Sequence, residues 1–197
     1  MIREIHERRS IRRFQNRPVD KSDVIEILQS AIKAPSSKNR QPWRYIVVQN
    51  DAKHEMLAAF RRGIAREEAG RALLPESKRH LSGAKYSVQI MEQAPVIVLA
   101  VNPLGRDMLA ALTPEERIYE VCNMQSIGAS IQNLLLAATE KGLGSLWICD
   151  IFFAHAELRE WLNVEGALIA AVALGYPDES PAERPRKNLE SVVEWRD

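Results

Sequence analysis

Little in this chain of 197 residues would cross-link it, hold a metal ion or anchor it in a bilayer. Cys122 and Cys149 are its two cysteines, and they form neither a CxxC pair nor a disulfide framework. A reducing cytoplasm is therefore the expected setting. The four histidines (His6, His54, His80 and His155) are isolated, with no HExxH and no Cys/His pattern, so no metal site is expected. The longest apolar runs, such as residues 167–174, are too short to span a membrane. The N-terminus is charged where a signal peptide needs an apolar core. Net charge is nearly missing as well: 27 Lys and Arg stand against 26 Asp and Glu. No global field is left to draw in nucleic acid or a membrane surface. There is no Gly-x-Ser-x-Gly and no Walker loop. These absences point to a soluble cytoplasmic protein.

The chain is long enough to bury a proper core, and no linker, repeat or low-complexity stretch divides it, so residues 1–197 read as one domain. Asp20 is placed to cap a helix carrying Val24, Ile27, Leu28 and Ala31 at helical spacing, which Ala34-Pro35 ends. Buried strands are expected at Tyr45-Ile46-Val47-Val48, at Val96 to Val101, at Leu146 to Cys149 and at Leu168 to Leu174. Thr113, Pro114 and Glu116 form a capping-box start for a long helix, with Gly142 as its stop. Its second half is apolar on most faces, which requires either a central core position or a contact with a second subunit. A short helix follows from His155 to Leu162. Residues 61–87 are charged and broken by Gly63, Gly70, Pro75 and Gly83. They read as a mobile excursion over a binding site or as a solvated connection. Residues 176–197, spaced by Pro177, Pro181 and Pro185, read as an extended C-terminal arm with a strand-like piece at Ser191-Val192-Val193-Glu194-Trp195. The mixed order of elements is that of an α+β fold.

Against the lack of net charge, one local excess stands out. Arg8, Arg9, Arg12, Arg13 and Arg17 crowd around Ser10, and guanidinium forks of this kind suit an anion such as phosphate. The competing reading is a solvated helix end, neutralised by Asp20, Asp23 and Glu26. A second stretch, Ala34-Pro35-Ser36-Ser37-Lys38-Asn39-Arg40-Gln41-Pro42-Trp43, is rich in hydroxyls and amides. Turn chemistry explains its Pro and Ser but not its run of amides. A third, Gly142-Leu143-Gly144-Ser145-Leu146-Trp147-Ile148-Cys149, lacks the further glycine of a dinucleotide fingerprint. A fourth, Arg184-Pro185-Arg186-Lys187, follows Gly175-Tyr176-Pro177 and reads as either a solvated tail or a second anion grip.

Together these stretches resemble the nitroreductase family of flavin-dependent oxidoreductases, over nearly the whole chain. The resemblance implies a central, mostly antiparallel sheet flanked by helices and built as an intertwined homodimer, with FMN at each end of the interface. It implies that Arg8, Arg9, Ser10 and Arg12, joined by Arg184 and Arg186, hold the phosphate and ribityl chain. Pro35, Ser36, Ser37 and Asn39 would reach the ring from the other subunit, and Trp147, Ile148 and Cys149 would lie along it near N5. Cys149-Asp150 stands where the family often has glycine. The implied reaction is ping-pong hydride transfer from NADH or NADPH to an electron-poor acceptor such as a nitroaromatic or quinone. The flavin carries the chemistry and no acid–base residue is assigned. Rival readings are a non-turnover FMN store or redox sensor, and a dehalogenase-like or flavin-fragmenting enzyme that would use residues 61–87 as a lid. A nucleic-acid or membrane module built on the arginines stands last.

Overall fold

Two continuous apolar runs, Val96–Asn102 and Ala167–Gly175, become neighbouring central strands because helices cover both of their faces. They are strands β2 and β4 of a four-stranded antiparallel sheet in the computed structural model, which describes residues 2–107 and 110–196. With β1 (Arg44–Val48) and β3 (Gly144–Ile148) the order across the sheet is β1-β2-β4-β3. Helices α1 (Arg3–Glu7), α2 (Lys21–Ala31), α3 (Asn50–Glu68), α4 (Leu81–Gln93), α5 (Pro114–Glu140) and α6 (His155–Leu162) complete the α+β architecture. Residues 1, 108, 109 and 197 of the expected domain lie outside the described residues.

The alternation of side chains along β2 divides the core in two. Ile97, Leu99 and Val101 pack with Met56, Leu57 and Phe60 of α3 and with Ile90 and Met91 of α4. Val96, Val98 and Ala100 face the other way, onto Ile27 of α2 and Ile127, Ile131 and Leu134 of α5. Helix α5 opens with the expected capping box: Thr113 Oγ1 accepts from the Glu116 N–H, and the Glu116 side chain accepts from the Thr113 N–H. Such a cap is worth about 0.5–2 kcal/mol. It ends at Gly142, whose φ of +71° is the left-handed stop.

Three features differ from the sequence reading. The first turns form α1. Residues 61–87 are largely helical, spanning the end of α3, a short turn of helix at Pro75–His80 and the start of α4. Leu81, Ala84, Val88 and Met91 of α4 are buried at helical spacing. The strand expected at 191–195 is absent: Leu189–Ser191 forms one helical turn, and Val192 to Arg196 are exposed without a strand partner. A strand needs a neighbour to satisfy its backbone, and this chain offers none there. Among the described residues, no helix is long and apolar enough to cross a membrane.

Candidate functional site

Strand β3 is an edge strand, and the arginine segment lies along its free side. The Ile11 N–H donates to the Ser145 carbonyl at 3.0 Å, and Ser10 pairs with Ser145 in a parallel bridge. Farther along, Phe14 bridges Pro177 and the Gln15 N–H donates to the Tyr176 carbonyl. Buried Ile11 and Phe14 act as apolar pegs that hold the intervening polar residues at the surface.

This docking brings the two cationic stretches together. Arg8, Arg9, Ser10 and Arg12 line one side of a cleft of about 110 Å³, and Pro181, Ala182, Glu183, Arg184 and Arg186 line the other. Among the described residues, the side chains of Arg8, Arg12, Arg184 and Arg186 have no carboxylate partner. Burial, and then the nearby charges of Arg186 and Arg9, push the Arg8 guanidinium below its ordinary value. Guanidinium groups held together in this way have the chemistry to answer an anion. Asp23 and Glu26 do not neutralise the cluster, because both pair with Lys141 at the end of α5, at 2.9 and 2.5 Å. Arg17 is not part of the cleft either; its guanidinium lies 3.7 Å over the Tyr176 ring. Beside the cleft, Ser145 Oγ is buried without a hydrogen-bond partner among the described residues.

The other expected residues lie elsewhere. Trp147 and Ile148 follow Ser145 along β3, which joins Ile148 to the cleft over roughly 10 Å at the ordinary rise per residue, and Cys149 comes just past the strand's end. Trp147 is partly exposed and stands over Gly128 of α5, while Ile148 is buried in the opposite core. Partial burial, then the adjacent Asp150 charge, pushes the Cys149 thiol up, which keeps it protonated and a poor nucleophile. Pro35, Ser36, Ser37 and Asn39 do not reach the cleft of their own chain. Their loop rests on α5, where the Ser37 N–H donates to Ser126 Oγ at 3.3 Å. Its amides brace the loop itself: Gln41 Nε2 donates to Asn39 Oδ1 and the Gln41 N–H donates to Ser36 Oγ. Lys38, Asn39 and Gln41 are all left-handed, an unusual density for residues other than glycine.

A model of the nitroreductase family matches residues 5–176. The chain belongs to the nitroreductase family. The match stops before Arg184 and Arg186, so their half of the cleft is known from the geometry of this chain. A NADH dehydrogenase of Thermus thermophilus is 34% identical, over 96% of this chain and 92% of the relative. A 5,6-dimethylbenzimidazole synthase of Rhodospirillum rubrum is 31% identical, over 94% and 84%. A solved structure from Desulfovibrio desulfuricans, described as a nitroreductase in complex with FMN, is 29% identical with a TM-score of 0.72, covering 98% of this chain and 95% of that one.

The sequence reading missed the acidic residues of the tail, Glu179 and Glu183, which touch the arginine segment. Three acids, Asp178, Glu179 and Glu183, just ahead of Arg184 and Arg186 were the available signal. A larger cleft, about 720 Å³, is lined by Asp107, His155, Arg159 and Glu160 among others and holds none of the expected residues. Burial, then the Arg159 charge, holds the buried His155 below the usual histidine range. At pH above about 6.5 both folded and unfolded states carry it neutral. As pH falls from there, the unfolded chain takes up a proton that the folded one refuses, so stability is lost on the acid side. Thermal unfolding between pH 8 and 5 is expected to show this decline, and His155→Gln to flatten it. An equal decline in the variant would refute it.

Proposed function

We propose that this nitroreductase-family protein is an FMN-dependent oxidoreductase, passing electrons from NADH or NADPH to an electron-poor small molecule such as a nitroaromatic or quinone. The observation that carries the reading is the convergence of Arg8, Arg12, Arg184 and Arg186, without carboxylate partners among the described residues, on one cleft at the edge of β3. That donor set fits a phosphate ester. Charge-assisted forks answer its oxygens. Arg8, Arg9, Ser10 and Arg12, with Arg184 and Arg186, would hold the phosphate and ribityl chain. Trp147, Ile148 and Cys149 would lie beside the ring. The Desulfovibrio desulfuricans neighbour in complex with FMN and the Thermus thermophilus NADH dehydrogenase support the same assignment.

Bound there, FMN would supply the two-electron chemistry by which a nicotinamide donor and an acceptor react in turn. The chain's own part is to fix the phosphate, orient the ring along β3 and cover one of its faces. No side chain is assigned a proton transfer, and the protonated Cys149 thiol is not given a nucleophilic role.

A homodimer is part of the proposal. Ile118, Tyr119 and Val121 of α5 are 46–62% exposed, and Trp195 of the tail is 85% exposed. A second copy would cover these side chains and bring its own Pro35, Ser36, Ser37 and Asn39 to the flavin. In this reading residues 1–197 act as one FMN-binding domain, residues 176–197 wrap the partner, and residues 61–87 form a helical cover on the far face of the sheet.

The deciding experiment is the visible spectrum of protein loaded with FMN, recorded anaerobically. Bleaching by NADH or NADPH and recovery with a quinone or nitroaromatic is the expected result. Bound FMN that neither nucleotide bleaches would favour a store or sensor, and protein that refuses FMN would sink the proposal. The Rhodospirillum rubrum relative favours a second reading, in which the flavin itself is consumed. Aerobic reaction with NADPH would then destroy the flavin absorbance and release 5,6-dimethylbenzimidazole, detectable by mass spectrometry.

A further inference from the structure

Two carboxylates of the tail stand at the anion cleft, and their surroundings differ. Glu179 is largely buried by its neighbours, with a side chain 19% exposed. Its Oε1 accepts the N–H groups of Arg12 and Arg13 at 2.5 and 3.2 Å, and its Oε2 lies 3.5 Å from the Arg13 guanidinium. It does not line the cleft; it clips the tail to the backbone of a residue that does. Just before it, the Asp178 N–H donates to the Arg13 carbonyl at 2.9 Å. Beyond it, residues 182–196 are exposed, and among the described residues the next side-chain tie back to the N-terminal segment is Glu183. Glu183 is the opposite case. Its side chain is 63% exposed, it lines the cleft, and its Oε2 lies 3.5 Å from the Arg9 guanidinium.

We propose that Glu179 is a positioning residue that seats Arg184 and Arg186 opposite Arg8 and Arg12, whereas Glu183 is a built-in competitor for Arg9 of the same cleft. The inference rests on reading the cleft as the phosphate site of FMN. Its consequence is an opposite sign for two acids on one short stretch. Losing Glu179 frees the tail, so that each bound phosphate must order it again. Losing Glu183 removes a negative charge that the phosphate has to displace.

The measurement is flavin fluorescence titration of the full chain with FMN and with riboflavin, which lacks the phosphate, at low and physiological salt. Glu179→Ala is expected to weaken FMN by about tenfold or more, the worth of one charge-assisted contact, while riboflavin is bound as before. Glu179→Gln recovers most of the loss, because its amide oxygen still accepts both N–H groups. Glu183→Gln is expected to tighten FMN about two- to fivefold, as for a surface charge pair, and the gain shrinks as salt rises. Should the alanine variant fail to fold, Glu179→Asp, whose carboxylate is drawn back by one methylene, gives a smaller loss of the same sign. An unchanged ratio of FMN to riboflavin affinity in folded Glu179→Ala or Glu179→Asp, or weaker FMN binding by Glu183→Gln, overturns the inference. Wild-type protein that does not prefer FMN to riboflavin overturns the phosphate reading itself, and this inference with it.

Discussion

The double variant Arg12→Ala/Arg186→Ala is expected to fold normally and to bind FMN about a hundredfold more weakly, or worse. Each guanidinium removed forfeits a charge-assisted hydrogen bond of about 1.5–3 kcal/mol, and a tenfold change in affinity is about 1.4 kcal/mol. The fold, by contrast, loses little. Among the described residues, Arg12 Nη1 donates only to the Ser10 carbonyl, and Arg186 Nη1 only to carbonyls of its own stretch, Arg184 and Pro185. The bond from the Arg12 N–H to Glu179 is a backbone bond and survives the substitution. Removing Arg186 also relieves one of the charges that push the Arg8 guanidinium down. Thermal stability without flavin should therefore hold or rise while affinity collapses. That combination separates a binding cluster from a structural one. The opposite pattern, wild-type FMN affinity with a lowered melting temperature, would return the arginines to the role of a solvated surface.

Why the sheet was legible in the sequence and parts of its cover were not follows from where each element finds its partners. β2 and β4 are buried on both faces, so their apolar runs carry the signal by themselves. The start of α5 is written in Thr113, Pro114 and Glu116, all within one turn. α4 is harder to see, because Leu81, Ala84, Val88 and Met91 sit behind a stretch of charge and glycine that hides their spacing. Val192 and Val193 have the composition of a strand but no neighbouring strand in this chain, and composition does not supply one. The candidate site divides in the same way. The cations are visible as residue types, and their resemblance to a known family names the ligand. What they lack is not visible: Asp23 and Glu26 are close to the arginines in sequence, yet they pair with Lys141 from the far end of α5. Only the fold shows that Arg8, Arg12, Arg184 and Arg186 have no carboxylate partner among the described residues, and that Glu179 and Glu183 have come from the tail to the neighbouring Arg13 and Arg9.

Gly144→Val should have the second large effect, and it reaches the site through packing rather than charge. Gly144 opens β3 and is buried, and a Cβ built there would lie 2.8–2.9 Å from three side-chain atoms of Ile11. Its backbone is not left-handed, so space and not φ is what excludes a side chain. Ile11 is 6% exposed and packs in the main core, while its N–H holds the Ser145 carbonyl. Overpacking a site of this kind costs about 1–3 kcal/mol. Relief by displacement of Ile11 would lift the adjacent Ser10 and Arg12 off the strand. Gly144→Val is thus expected to lower both the melting temperature and FMN affinity, the latter by about tenfold or more if even one arginine contact is lost. A general loss of stability could mimic this, and a compensating variant distinguishes the two. Ile11→Gly removes all three of those atoms, the Cβ included, and makes room for the valine, so Ile11→Gly/Gly144→Val should regain FMN affinity over Gly144→Val alone, with a coupling between neighbouring positions of about 0.5–3 kcal/mol. Additive losses in the double variant would mean that the glycine serves the sheet but not the docking of the arginine segment. Recovered affinity would place the origin of the anion cleft in the missing side chain at Gly144, which lets the N-terminal segment lie against the edge of the sheet.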